Sequence, residues 1–208
     1  MMSRLILSCI TALLIAAPAF AEDGEETAPS VTPLAAQAMY NFAGCTVSNS
    51  RRGVVKLLSK DYRSKEYQDA IRQMARGHDR CVPGNQLKFA GVLFAGNLAE
   101  HLLTDQFSET ALAANLGRDR SAAPIMARSP TEDIAMCIVM RSPSESAALF
   151  RTGIATDDEK AALSEIAPQL PNCVKQGVQF KTNRSGLRAL LALAAYRIAV
   201  TGNDGTAT

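Results

Sequence analysis

Four cysteines constrain this chain more than any other feature. Cys45 and Cys81 are 36 residues apart, and so are Cys137 and Cys173. Superposing the chain on itself at an offset of 92, the separation of Cys45 from Cys137, aligns Ala43/Ala135, Cys45/Cys137, Val47/Val139, Ser50/Ser142, Leu57/Leu149, Ala70/Ala162, Ala75/Ala167, Cys81/Cys173 and Val82/Val174. Conservative pairs such as Ile71/Leu163, Met74/Ile166 and Ser64/Thr156 fall between them. The pattern predicts a tandem duplication. Four cysteines allow three disulfide connectivities, and spacing alone does not select one. The repeat does: each unit should close its own bridge, Cys45–Cys81 and Cys137–Cys173. Structural zinc, the rival use of four cysteines, wants close C-x2-4-C pairs, and the chain has none.

The repeat also locates the centre of the fold. A run over 87–103 follows Cys81-Val82, and a second over 187–200 follows Cys173-Val174. Each is apolar on nearly every face, the pattern of a helix surrounded by protein. Abundant Ala and Leu, 5% aromatics and no Trp favour packed helices over sheets. The expected architecture is all-α: a tandem duplication of a small disulfide-stapled helical unit, with central helices over 86–104 and 186–201 packed together. Gly91, Ala95 and Ala99 recur one turn apart beside Gly96. Glycine within a helix costs about 1 kcal/mol against alanine, so this seam predicts a close helix–helix approach.

Unit one is expected over 33–116. Its pieces are a cysteine-bearing helix over 34–48 capped by Thr32-Pro33, a short helix over 54–60 set off by Gly53, a helix over 65–76 capped by Ser64, the central helix, and an extra helix from Ser108 to Leu116. A linker covers 117–128. Unit two, 129–201, repeats the plan. Ser129-Pro130 and Ser142-Pro143 start its first two helices, and Thr156 with Glu159 forms a capping box for the next. Pro168 and Pro171 end that helix, and Ser185 caps the last.

Residues 1–21 have the form of an export signal. Arg4 supplies the charged region, a short apolar stretch follows, and Ala19-Phe20-Ala21 fits a small-x-small cleavage site. Cys9 sits too early in the apolar stretch for a lipobox. Cleavage is expected after Ala21, leaving an acidic flexible leader over 22–32 and a flexible tail over 202–208. No later segment reads as a membrane span, since Arg188 and Arg197 interrupt the 187–200 run. The expected compartment is the periplasm, or the medium beyond it.

Motifs for catalysis are absent: no Gly-x-Ser-x-Gly elbow, Walker loop, Gly-x-Gly-x-x-Gly, Cys-x-x-Cys or His-Glu-x-x-His occurs. His101, Asp105 and Glu109 recur at helical spacing beside Glu100, but Phe107-Ser108 should break the helix before Glu109. His78 is expected in a turn. Asp157, Asp158 and Glu159 oppose a helix macrodipole. No metal, cofactor or catalytic residue is therefore expected. The leading reading is a non-enzymatic binding or interaction protein of the cell envelope. A hydrolase using carboxylates without a local signature is the alternative.

Charge marks one candidate face. Arg52, Lys56 and Lys60 fall at i, i+4 and i+8, and Arg72 and Arg76 lie one turn apart. From Cys45 to Val82 there are nine basic and four acidic residues, a balance of +5; from Cys137 to Val174 there are three and five, a balance of −2. The repeated unit keeps its cysteines without this charge, so folding does not require it. The expected partner is an acidic protein or an anionic envelope component; nucleic acid is excluded by the compartment. The Cys81-Val82-Pro83 turn into an apolar helix resembles small disulfide-bridged helical proteins of the bacterial periplasm, including immunity proteins against secreted toxins. The resemblance covers a few residues around Cys81, holds no specific motif and implies no function here.

Overall fold

The computed structural model describes residues 31–81 and 91–201. The expected signal and tail, residues 22–30 of the expected leader, and the 86–90 start of the first central helix lie outside them. Among the described residues there are nine α-helices and no strand. In chain order they are α1 (Pro33–Leu58), α2 (Lys65–Gly77), α3 (Gly91–Gln106), α4 (Glu109–Leu116), α5 (Pro130–Arg141), α6 (Pro143–Leu149), α7 (Asp157–Ile166), α8 (Leu170–Cys173) and α9 (Arg184–Thr201).

The chain is all-α, with α3 and α9 packed against each other at its centre. Helix α1 flanks α3, α5 flanks α9, and α4 packs on α6. Phe94, Leu98 and Leu102 of α3 and Leu191, Ala195 and Ile198 of α9 are fully buried. The closest approach is at Gly96. A Cβ there would lie 2.5 Å from the Cα of Ala189 and 2.7 Å from its carbonyl oxygen. Of the small residues in the seam, Gly96 is thus the one the packing requires. A Cβ on Gly91 would meet only Ile71, at an ordinary 3.9 Å.

Both disulfides close within their own halves. Cys45–Cys81 ties α1 to the 3-10 turn Asp79–Cys81, and Cys137–Cys173 ties α5 to α8. Each bridge closes a loop of similar length, for which the chain-entropy model gives about 4 kcal/mol. Two such bridges mark an oxidising, extracytoplasmic environment. No helix of the described residues is long and apolar enough to cross a membrane.

Several boundaries differ from the sequence reading. The first break in unit one is at Ser50, not Gly53: α1 runs to Leu58 with a kink at Ser50 (φ −145°, ψ 43°). Gly53 serves that kink, because a Cβ there would lie 2.6 Å from the Ser50 hydroxyl. The aligned residue of the second half, Ser142, is also non-helical (φ −130°, ψ 60°). There the cause is Pro143, which disfavours helical geometry in the residue before it. Pro168 and Pro171 follow the end of α7 at Ile166, as expected, without stopping the helical course beyond it. Each opens a further short turn, Ala167–Gln169 and then α8, where a missing N–H costs nothing. The cap of α9 is Asn183, whose Oδ1 accepts from the Gly186 N–H at 2.8 Å, so Ser185 lies within the helix. Helix α3 continues past Thr104 to Gln106. The caps read at Thr32, Ser64, Ser108, Ser129 and Thr156 all accept the expected backbone N–H.

Candidate functional site

A cleft of about 540 Å³ opens where the two halves meet. Its floor is one face of α9. Leu190, Leu193 and Arg197 of that helix are only half-buried, and these three line the cleft. The opposite wall is Tyr67 and Ile71 of α2, with Val92 at the start of α3. The remaining side is polar, built from the 60–63 loop and the 128–132 segment.

Four cations line that polar side: Lys60, Arg63, Arg128 and Arg197. Two are neutralised. Arg63 forks onto Asp61, with Nε 3.1 Å from Oδ1 and Nη2 2.8 Å from Oδ2. This holds the Asp61 carboxyl well below the usual carboxylate range. Arg197 pairs with Glu132 at 2.6 Å and also donates to the Met126 carbonyl at 2.7 Å. Glu132 reaches back to accept the Arg128 N–H, while Ser129 Oγ caps the Glu132 N–H. The capping of α5 thereby positions the one carboxylate that lines the cleft among the described residues. Arg128 has a different environment. Its Nη1 donates to the Lys60 carbonyl at 2.9 Å, and no carboxylate pairs with it among the described residues. Lys60 likewise has no ion-pair partner among them. The Arg63 Nη1 donates to the Arg128 carbonyl at 2.6 Å, so the 60–63 and 128–132 backbones are cross-linked by the very side chains that carry the charge. Three of the chain's four tyrosines, Tyr62, Tyr67 and Tyr196, also line the cleft. Burial pushes the Tyr67 phenol up to about 12.

The second polar assembly is fully enclosed. Arg188 of α9 forks onto Glu100 of α3, Nε to Oε2 at 2.9 Å and Nη2 to Oε1 at 2.6 Å. Its Nη1 donates to Glu159 at 3.1 Å and to the Thr152 hydroxyl at 2.9 Å, and Nη2 donates to the Thr152 carbonyl at 3.0 Å. Arg184 pairs with the other oxygen of Glu159. Glu100, Arg188 and Glu159 are at most 2% exposed. Burial raises the Glu100 pKa, and the Arg188 fork opposes it. Tyr40, hydrogen-bonded to Glu100, is pushed up to about 12, chiefly by burial. Sequence reasoning read Glu159 as a cap and Arg188 as an interruption of an apolar run. The available signal was a charge set among apolar residues within each central run, Glu100 in one and Arg188 in the other, since a buried charge must be paired.

The remaining sequence candidates fall as follows. Arg52 and Lys56 are exposed on the last two turns of α1, and Lys60 lies beyond the end of that helix, so the three do not form one helical stripe. Lys60 instead joins the cleft. Arg72 pairs with Asp69 at 2.6 Å, and Arg76 Nε donates to the Arg72 carbonyl at 3.3 Å. His101, Asp105 and Glu109 do not converge. The His101 ring lies 4.2 Å from the Tyr40 ring and bonds the Tyr40 carbonyl, Asp105 pairs with Arg51, and Glu109 begins α4 after the break. No group of three candidate metal ligands occurs among the described residues. Comparison with protein-family models, curated proteins and solved structures finds no match.

Proposed function

We propose that the chain is an exported, non-enzymatic helical binding protein of the bacterial cell envelope. In this reading residues 1–21 are removed after Ala21, and the mature protein works in the periplasm, where its two disulfides are stable. Tandem duplication of one stapled unit is part of the same reading. It is supported by the non-helical Ser50 and Ser142, the matched caps Ser64 and Thr156, and the two in-register bridges.

The observation that carries the proposal is the cleft, with an apolar floor and a cationic side that holds more positive than negative charge. Exposed Arg52, Lys56, Arg72 and Arg76 extend positive charge over the same half of the chain. Such a surface suits an acidic protein or an anionic envelope component. Hydrolysis by paired carboxylates is less well supported. Glu100 and Glu159 are both bound to Arg188 away from solvent, and Glu132 is held by Arg197.

The test is retention of periplasmic material on the immobilised mature chain at low and high salt. Electrostatic contacts at exposed sites weaken once the Debye length falls well below about 8 Å. Salt-sensitive retention that falls in Arg52→Gln/Lys56→Gln/Arg76→Gln, with an unchanged melting temperature, is the expected outcome. Retention that the triple variant leaves intact would remove those residues from the binding surface. Turnover of an envelope polymer by the purified chain would overturn the non-enzymatic reading.

A further inference from the structure

We propose that the cleft between α2, α9 and the 128–132 segment takes a single-chain amphiphile whose oxyanion head sits at Arg128 and whose tail lies along Leu190 and Leu193. The inference rests on the binding-protein reading and adds the class of ligand.

Charge complementarity selects the head. Of the four cleft cations, Arg63 is paired with Asp61 and Arg197 with Glu132, while Arg128 and Lys60 have no ion-pair partner among the described residues. Among the described residues the Arg128 guanidinium hydrogen-bonds through Nη1 alone, to the Lys60 carbonyl. Its Nε and Nη2 remain to meet a carboxylate or phosphate in the two-pronged geometry that guanidinium favours. The apolar floor selects the body. Leu190 and Leu193 lie one turn apart on α9 and are half-buried, and Val92, which also lines the cleft, is 39% exposed. A volume near 540 Å³ falls within the range of about 300–1,000 Å³ typical of small-ligand sites. Because the floor is recessed between helices, a free amphiphile can reach it and the flat face of a bilayer cannot.

Tyrosine emission reads the site directly, since the chain has no Trp and only Tyr40 lies away from the cleft. The mature, oxidised chain is titrated with dodecanoate below its micelle concentration. Saturable binding at one site is expected. Each CH2 buried should tighten binding about fourfold, so octanoate, decanoate and dodecanoate should differ by about fifteenfold per step. Dodecyl phosphate should share the site, and dodecyltrimethylammonium should not. Arg128→Gln should weaken dodecanoate about tenfold or more while circular dichroism shows an unchanged melt. Leu193→Asn, at the tail end, should flatten the chain-length dependence. The inference is overturned by absence of saturable binding, by equal affinity for the cationic analogue, by binding to anionic vesicles but not to monomeric amphiphile, or by a dimer that buries the cleft. If dodecanoate fails while salt-sensitive retention of a periplasmic partner persists, the ligand class is wrong and the binding reading stands. If both fail, both are wrong.

Discussion

Arg188→Met is the substitution with the most clearly calculable consequence. Methionine fills a similar volume without the charge. Glu100, fully buried, loses its Arg188 ion pair and both arms of the fork. Glu159 loses one contact but keeps Arg184. Breaking a buried pair in this way costs about 3–5 kcal/mol, mainly because a charge is stranded. For a chain of this size each kcal/mol moves Tm by about 2–4 °C, so thermal unfolding should drop by about 6–20 °C. The cost should also depend on pH. Burial raises the Glu100 pKa from 4.5, and Arg188 is the first-ranked influence that lowers it. Without Arg188 only the weaker influences of His101 and the Tyr40 hydroxyl oppose the raise. A carboxyl with a raised folded pKa contributes stability below its unfolded pKa and loses it as pH rises through the folded value. The variant should therefore lie nearest the native protein in mild acid and fall further behind toward neutrality. Denaturant melts of both proteins across that range test this. A variant melting within about 2 °C of the native chain at neutral pH, or one whose deficit shrinks as pH rises, would refute the argument.

Other expectations follow from single contacts. Gly96→Ala gains helix propensity but drives a Cβ into the Ala189 backbone, so it should destabilise by about 1–3 kcal/mol in thermal melts; a stabilised variant would mean that α3 and α9 separate readily. Non-reducing peptide mapping of exported chain should recover Cys45–Cys81 and Cys137–Cys173. Mutating one pair to serine should cost about 4 kcal/mol, as an upper figure of the loop-entropy model. Spectrophotometric titration should find Tyr40 and Tyr67 ionising near 12 rather than 10.0 in the folded chain. A phenol with a raised folded pKa contributes stability that is present below pH 10 and lost as pH climbs through the folded value, so stability should fall between those two points.

What the sequence made legible was the cysteine spacing and the helix caps. The bridges followed from equal spacing, and the helix starts followed from Thr32, Ser64, Ser108 and Ser129, because those side chains act on N–H groups three residues away. Gly53 misled because glycine was read as a helix breaker. Its role is to admit the Ser50 side chain, which depends on the kinked backbone. Ser142 was legible because proline constrains the residue before it. The cleft was not legible, since it joins the 60–63 loop to the 128–132 segment through Arg63 and Arg128, more than sixty residues apart. Lys60 was singled out for its spacing from Lys56, yet it matters through a neighbour that helical periodicity cannot reveal.

The buried fork and the cleft are coupled by one helix. At about 3.6 residues per turn, Arg188 lies on the face of α9 roughly opposite Leu190, Leu193 and Arg197. A seam of small residues such as Gly96, Ala95 and Ala189 permits close approach but tolerates several sliding registers. The fork to Glu100 admits one. Replacing both charges, as in Arg188→Met/Glu100→Leu, should therefore separate stability from register. Apolar replacement of a buried pair is often neutral or stabilising, so the double variant should recover much of the loss seen in Arg188→Met. Its cleft should nonetheless be less uniform, because the Arg197–Glu132 pair and the Arg197 bond to the Met126 carbonyl must then hold α9 against the 128–132 segment without the fork. The expected signature is a near-native melting temperature with dodecanoate binding weakened severalfold and broadened amide resonances along α9. Native affinity and sharp resonances in the double variant would show that small-residue packing alone sets the register, and would reduce the fork to a neutralised pair with no bearing on the site.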